Sequence, residues 1–322
     1  MQSIVCYKTG DPSVLKLENT PDPICHPKGI IMQNKVISIE GGDIRARSMG
    51  PIGKTPYIIG YQSSGVIIEV GNEVKKFNIG DRIVAMSGKG SHATLRSVPE
   101  KAIWHIPNEL TFEDAACIPV TYATAHDCLF EFGNVQDEDT ILIQGISGGL
   151  GLAISSLALQ RNITIIGTVS DQSKVLKLTK MGIQHVITHS HNDTIKLIMD
   201  ITQNNGVDLA IDAVGGISLE QAINATKYRG TVISVGNASR SNNKIDASIL
   251  LRKNLNLQGV LLAAEQSKNF DRVYNLVDKM LLQAATKKIN IQIDKIFPFS
   301  EASNAHLYAE SRKAIGRVLI KI

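Results

Sequence analysis

The chain has few cysteines: Cys6, Cys25, Cys117 and Cys128 are the only four in 322 residues, and no two stand in a C-x-x-C pair. Neither a zinc lobe nor a redox dithiol is therefore written into their spacing. Cys25 and His26 are adjacent in a proline-rich run where neighbouring side chains diverge, so they form no metal site by themselves. Apolar runs long enough to span a bilayer are missing. Residues 1–10 lack the continuous apolar core of a secretory signal, so the expected compartment is the cytoplasm. Blocks of like charge are missing too. The net charge of +4 is spread along the chain without aromatic-basic interleaving, so no nucleic-acid or membrane partner is called for. There is no internal repeat and no low-complexity tract.

What is present is 43% apolar content over a length that suggests two domains. The first hundred residues alternate short apolar runs with turn signals at Gly10-Asp11-Pro12, Pro21-Asp22-Pro23, Gly41-Gly42-Asp43, Gly71-Asn72-Glu73 and Gly80-Asp81. That rhythm predicts an antiparallel β domain, with 66–70 and 82–86 as its clearest strands. At Thr111 the pattern turns helical, with Thr111 as N-cap and Asp114 three residues on. Short apolar runs at 162–169, 184–188, 207–212, 231–235 and 255–262, separated by helix-compatible stretches, predict a parallel sheet covered on both faces. After Phe270 the chain reads as helix to about Lys288. It then returns to strand at 289–293 and 316–322.

Residues 139–151 read as a buried strand running into a glycine turn that opens a helix, the arrangement that seats a dinucleotide pyrophosphate. Gly148 and Gly149 let backbone N–H groups approach phosphate oxygens, with Leu150 following them. Gly151 lets the helix lie close on the strand. In the G-x-G-x-x-G pattern the first place is held by Ile146. About 20 residues past the glycines, NAD-selective versions of this fold carry an acidic residue for the ribose 2′-OH. Here the second strand ends Gly167-Thr168-Val169-Ser170, with Asp171 just beyond its tip. Ser170 and Ser173 can donate to a 2′-phosphate and Lys174 can neutralise it; the reading is NADPH.

The order of segments resembles the medium-chain dehydrogenase/reductase superfamily, and within it the zinc-independent quinone oxidoreductases, over essentially the whole chain. The residues that carry the resemblance are Gly10-Asp11-Pro12, Gly60-Tyr61-Gln62-Ser63-Ser64-Gly65-Val66, Val70-Gly71, Gly80-Asp81-Arg82, Gly90-Ser91-His92-Ala93, Pro119-Val120-Thr121, Gly148-Gly149-Leu150-Gly151, Val235-Gly236-Asn237-Ala238-Ser239 and Phe297-Pro298-Phe299. It implies an α/β chain: a Rossmann-type doubly wound parallel sheet plus a GroES-like antiparallel β domain. The expected division is 1–121 and 266–322 for the catalytic domain and 122–265 for the NADP-binding domain. In zinc alcohol dehydrogenases of the superfamily the metal ligands come from a Cys and from a His-Glu pair. Glu40 and Tyr61-Gln62 occupy those places here, and Tyr and Gln are poor ligands, so no metal site is expected.

By the same resemblance Lys174 and Arg312 surround the 2′-phosphate, with His189 where a Tyr is usual. Thr121 bonds the carboxamide, and Val214-Gly215 and Gly236-Asn237 line the cofactor groove. Hydride transfer needs positioning and stabilisation of developing negative charge more than reactive side chains. The expected site groups are Tyr61, Glu40 and Gln62. Either Tyr61 donates to the substrate oxygen, with Glu40 shaping the pocket or acting as base, or Tyr61 is an amphipathic wall and water supplies the proton. Asp43 is expected to pair with Arg45, Arg47 or Lys54. The expected substrate is a quinone or similar conjugated carbonyl. An enoyl or enone reductase, and a non-catalytic NADPH-binding protein of crystallin type, are the other readings. A homodimer is expected through the edge strand at 255–262, whose open edge would otherwise invite aggregation.

Overall fold

The structure, a computed structural model, describes residues 1–188, 193–241 and 245–322. The chain divides into two compact units, Met1–Val120 with Asn275–Ile322, and Thr121–Tyr274. The second division falls inside the helix Phe270–Ala285, whose apolar residues Val273, Leu276, Val277, Met280 and Leu281 recur at helical spacing and are buried. No turn signal marks such a crossing.

In the first unit the long strand Gly29–Ser38 organises a mainly antiparallel sheet. It pairs with Gln62–Val70, with Arg317–Lys321 and with Leu95–Pro99. The strands Arg82–Met86 and Ile103–His105 extend one side, and Ile293–Pro298 closes the other as a parallel neighbour of Arg317–Lys321. One core is built from Ile30, Met32, Ile67, Ile83, Val98 and Ile103, another from Ile4, Ile37, Ile39, Ile59, Phe297 and Ile320. Burying each such side chain contributes roughly 1.5–3 kcal/mol. A second small sheet joins Lys16–Asn19, Gln2–Cys6 and Tyr57–Ile58.

Two features depart from the expected pattern here. Gly41-Gly42-Asp43 is not a turn between strands but the first turn of the helix Gly41–Met49. Two glycines disfavour a helix, and what offsets them is a cap: the Asp43 carboxylate accepts the Glu40 backbone N–H at 2.9 Å. The returning strand begins at Ile293, later than 289–293 suggested. Thr111 does cap a helix, Phe112–Ala116, with its Oγ1 accepting the Asp114 N–H at 3.0 Å.

The second unit is a Rossmann-type sheet of six parallel strands in the order His185–Thr188, Thr164–Val169, Thr140–Gln144, Val207–Asp212, Thr226–Ser234, Asn256–Gly259. Counted along the chain this is 3-2-1-4-5-6, so the direction of winding reverses between Thr140–Gln144 and Val207–Asp212. Ligands of such sheets bind beyond the carboxyl ends of the strands at that reversal. Ile141, Leu142 and Ile143 are buried on both faces, as a central parallel strand requires. The last strand is shorter than the run 255–262 implied, because Leu262 already belongs to a following helix, Leu262–Lys268.

Candidate active site

At the end of the strand Thr140–Gln144 the chain turns through Gly145, with φ +70°, and Gly148 is the N-cap of the helix Gly149–Ala158. Gly148 has no side chain to cap that helix, so its leading N–H groups face outward for an anion. A Cβ on Gly148 would meet nothing closer than 3.4 Å, whereas one on Gly151 would sit 2.6 Å from the Ile146 backbone. Gly151 is thus required by the fold and Gly148 leaves room above the turn. Ile146 fits the first place of the glycine pattern because Gly145, one residue earlier, takes the positive φ. Its own side chain is buried over Gly167. Gly145 was missed in the sequence reading; its signal was its place directly after the strand.

Lys174 is buried, and its Nζ donates to Ser147 Oγ at 3.1 Å, which holds the ammonium beside the glycine turn. Ser170, Asp171 and Ser173 are exposed. Asp171 caps the turn Gln172–Lys174, accepting the Ser173 N–H at 2.9 Å, and its hydrogen bonds to Ser173 hold the carboxyl below its usual pKa. His189 lies outside the described residues. Arg312 stands on the exposed turn after the helix Ala302–Glu310 and belongs to the first unit.

In the second unit the segments 214–215 and 236–239 lie against each other. Gly215, with φ +77°, approaches Asn237: a Cβ there would lie 2.5 Å from Asn237 Oδ1. Val214 O accepts from Ser239 N at 2.8 Å, and Gly236 packs on Ala213 O. Beneath them runs a buried polar seam that the sequence did not show. Thr168 donates to Gln144 at 2.6 Å, Gln144 to Ser218 O at 3.2 Å, and Ser218 to Asp212 at 2.7 Å. Asp212 also accepts the Gly215 N–H at 2.7 Å, which fixes the loop at the winding reversal. Thr121 is buried, and its Oγ1 has no hydrogen-bond partner among the described residues. A buried hydroxyl in that state has a hydrogen bond to give to a ligand group or a water. The open turn, the ammonium and the orphaned hydroxyl all fit a dinucleotide carrying phosphates and a carboxamide.

In the first unit the residues expected to act on substrate form one buried cluster. Glu40 precedes the helix Gly41–Met49, and its Oε1 accepts from Ser38 Oγ at 3.1 Å, from Gln62 Nε2 at 3.1 Å and from Arg317 Nη2. Burial pushes the Glu40 carboxyl up in pKa, while Arg317 pulls it back. Gln62 also donates to Ala116 O and accepts the Val120 N–H at 2.7 Å, so both ends of its amide are spent inside the protein. It holds its neighbours in place and presents nothing to a substrate. Tyr61 is half-buried and its hydroxyl is raised far above the usual phenol range, by desolvation first and then by the charges of Asp43 and Glu40.

Asp43 does not make the ion pair expected of it. Arg47 turns instead to Glu310 and to Gly10 O, Arg45 and Lys54 are exposed, and among the described residues Asp43 joins no salt bridge. Its Oδ1 is buried without a partner among the described residues, and desolvation lifts the carboxyl to a pKa of about 8.

Residues 149–279 match the family profile described as zinc-binding dehydrogenase, and 26–108 the alcohol dehydrogenase GroES-like domain. A quinone oxidoreductase-like protein 2 homolog from Nematostella vectensis is 30% identical over 270 residues, 82% of this chain and 73% of that one. A probable quinone oxidoreductase of Schizosaccharomyces pombe is 29% identical over 97% of this chain and 94% of its own. The crystal structure of Escherichia coli quinone oxidoreductase complexed with NADPH superposes with a TM-score of 0.94 at 24% identity, covering 100% of each chain. The chain belongs to the quinone oxidoreductase-like family of the medium-chain dehydrogenase/reductase superfamily, a family of NAD(P)-binding oxidoreductases.

The zinc in the profile's description is not matched by the residues here. Glu40 already holds a guanidinium, which would repel a metal cation, and Gln62 has no free end. Among the described residues no three His, Cys, Asp or Glu side chains gather as a metal site. Nor, among them, is any helix long and apolar enough to cross a membrane.

Proposed function

We propose that the protein is an NADPH-dependent, zinc-independent reductase that passes hydride to a quinone or a similar conjugated carbonyl. The observation that carries this reading is the Glu40 carboxylate closed by Arg317 beside a tyrosine that keeps its proton. Such a site offers a neutral O–H donor to an oxygen that gains charge, and no metal is needed to polarise an acceptor whose C=O or C=C is already electron-poor.

Bound NADPH supplies the hydride. Lys174, beside Ser147, would neutralise its 2′-phosphate, with Ser170 and Ser173 as donors. Gly148 and Gly149 would pass the pyrophosphate to the helix N-terminus, and Thr121 Oγ1 would bond the carboxamide. Tyr61 then donates to the acceptor oxygen, Arg317 and Gln62 hold Glu40, and Glu40 shapes the pocket wall. The enone-reductase reading uses the same groups. The open edge of Asn256–Gly259, with Leu261 two-thirds exposed beside it, suits a homodimer; a monomer in sedimentation at micromolar concentration would count against it.

The test is the oxidation of NADPH and NADH against 1,4-quinones and 2-alkenals, with and without a chelator. Faster NADPH oxidation that the chelator leaves unchanged is the expected result. A chelator that abolishes it, or no oxidation with any acceptor, rejects the reading. Tyr61→Phe with unchanged turnover would assign the proton to water.

A further inference from the structure

The cap at Glu40 explains how the helix Gly41–Met49 tolerates two glycines in its first turn, but not why they are there. Neither Gly41 nor Gly42 has a positive φ, so an alanine fits the backbone at both, and both are exposed. Their surroundings differ. A Cβ on Gly41 would meet nothing within 4 Å, whereas one on Gly42 would lie 2.6 Å from the Tyr61 hydroxyl oxygen, 2.8 Å from its Cε1 and 3.1 Å from its Cζ. The hydroxyl end of Tyr61 thus fills the space that a side chain at 42 would take.

The main chain on either side of this contact is tied down. Tyr61 O accepts from Ser87 N at 2.8 Å and from Arg96 Nη2 at 3.1 Å. Arg96 is buried, and it also donates to Ser63 Oγ at 3.1 Å, to Lys89 O at 3.3 Å and to Ser87 O. The following residue, Gln62, has both ends of its amide bonded. On the helix side the Asp43 carboxylate accepts the Glu40 N–H at 2.9 Å, and the Asp43 N–H donates to Glu40 O at 3.0 Å. What can yield is the Tyr61 ring, which turns about its own side-chain bonds.

We propose that Gly42 is a positioning residue of the reductase: its bare face sets where the Tyr61 hydroxyl stands when it donates to the acceptor oxygen. This rests on the reductase reading. Gly42 acts through Tyr61 and touches no substrate. With a Cβ at 42, the hydroxyl must move by about 0.8 Å to go from 2.6 Å to an ordinary contact of 3.4 Å. A donor misplaced by that much costs about ten- to a hundredfold in rate.

The test compares Gly42→Ala with Gly41→Ala, which adds the same methyl group to the same turn in open space. The first measurement needs no cofactor. In protein labelled with ¹³C at Cζ of its seven tyrosines, the resonance that is lost in Tyr61→Phe should shift in Gly42→Ala and stay in place in Gly41→Ala. Both alanine variants should melt no lower than wild type, since alanine favours the helix. The second measurement is kcat and KM for NADPH oxidation with a quinone. Gly42→Ala should lower kcat about ten- to a hundredfold and leave KM for NADPH little changed, while Gly41→Ala keeps wild-type values. In the Tyr61→Phe background Gly42→Ala should lower kcat no further, because no hydroxyl is left to misplace. A Tyr61 resonance that does not move in Gly42→Ala overturns the proposal. So does a Gly42→Ala or Tyr61→Phe variant with wild-type kcat, or a loss from Gly42→Ala that is equally large in both backgrounds. A protein whose Tyr61 resonance shifts as expected but which reduces no acceptor overturns the reductase reading instead, and with it the catalytic role of this contact.

Discussion

Arg317 donates to the carboxylate of Glu40 across 277 positions of chain, from the last strand of the first unit to the residue that precedes the helix Gly41–Met49. Both side chains are nearly buried, so neither charge has water as a substitute partner. Arg317→Met should therefore cost about 3–5 kcal/mol, because it leaves the Glu40 charge uncompensated. The double variant Glu40→Gln, Arg317→Met should recover part of that loss. Urea denaturation of the three proteins checks it. A single variant as stable as wild type would mean that the pair does not hold the cluster together.

A second buried pair governs the response to acid. His92 Nε2 lies 3.0 Å from His306 Nε2, and both rings are pushed down in pKa by burial, His92 to about 3 and His306 well below the usual imidazole value. The folded protein thus binds fewer protons than the unfolded chain once pH drops below about 6.5. Stability from this pair is present above that pH and is lost as pH falls towards 3, by up to about 1.4 kcal/mol per unit for each ring. Asp43 acts with the opposite sign. Its folded pKa of about 8 means that stability falls as pH rises from about 4 through 8. Stability should peak near pH 6.5, measured by denaturation at a series of pH values. Asp43→Asn should flatten the alkaline side and His306→Gln the acid side; slopes that neither variant changes would refute both assignments.

The two glycines of the turn should separate stability from ligand binding. Gly151→Ala forces a Cβ against the Ile146 backbone at 2.6 Å, a contact that only a shift of main chain relieves, so a loss of about 1–3 kcal/mol is expected. Gly148→Ala meets nothing nearer than 3.4 Å and should leave stability almost unchanged while weakening NADPH binding tenfold or more. Thermal denaturation and fluorescence titration with NADPH distinguish the two. Equal effects on both properties in both variants would contradict this division.

These cases show why some of the molecule could be read in sequence and some could not. The glycine turn is legible because its contacts are local: strand, turn and helix lie within residues 140–158. The alternation that announces the parallel sheet is local too. Glu40 and Tyr61 could be singled out, but their partners could not, since Arg317 is distant in sequence and nothing in the spacing joins them. Asp43 shows the opposite error. Nearness in sequence suggested Arg45, Arg47 or Lys54, yet Arg45 and Lys54 are exposed and Arg47 is drawn to Glu310, 263 positions away. Short-range rules propose a partner, and the long-range contact with better burial takes it. The helix at Gly41 was read as a turn because its two glycines outweigh, in a local scan, the single cap that holds it.

Lys174 supplies the sharpest test of cofactor preference. Its ammonium is held beside Ser147 while Asp171, the carboxylate that follows the strand tip in sequence, is spent on the Ser173 N–H. A 2′-phosphate gains a charge-assisted hydrogen bond from Lys174 that a bare 2′-hydroxyl does not, worth about 1.5–3 kcal/mol. Lys174→Ala should therefore raise the Kd for NADPH by about ten- to a hundredfold and change that for NADH little. Asp171→Asn should leave NADPH affinity within about twofold, because the Asn oxygen can still accept from Ser173. Titration calorimetry with both coenzymes reads the ratio directly. An NADH affinity that collapses in Asp171→Asn, with NADPH indifferent to Lys174→Ala, would show that the ribose is held through its hydroxyls and that the coenzyme is NADH.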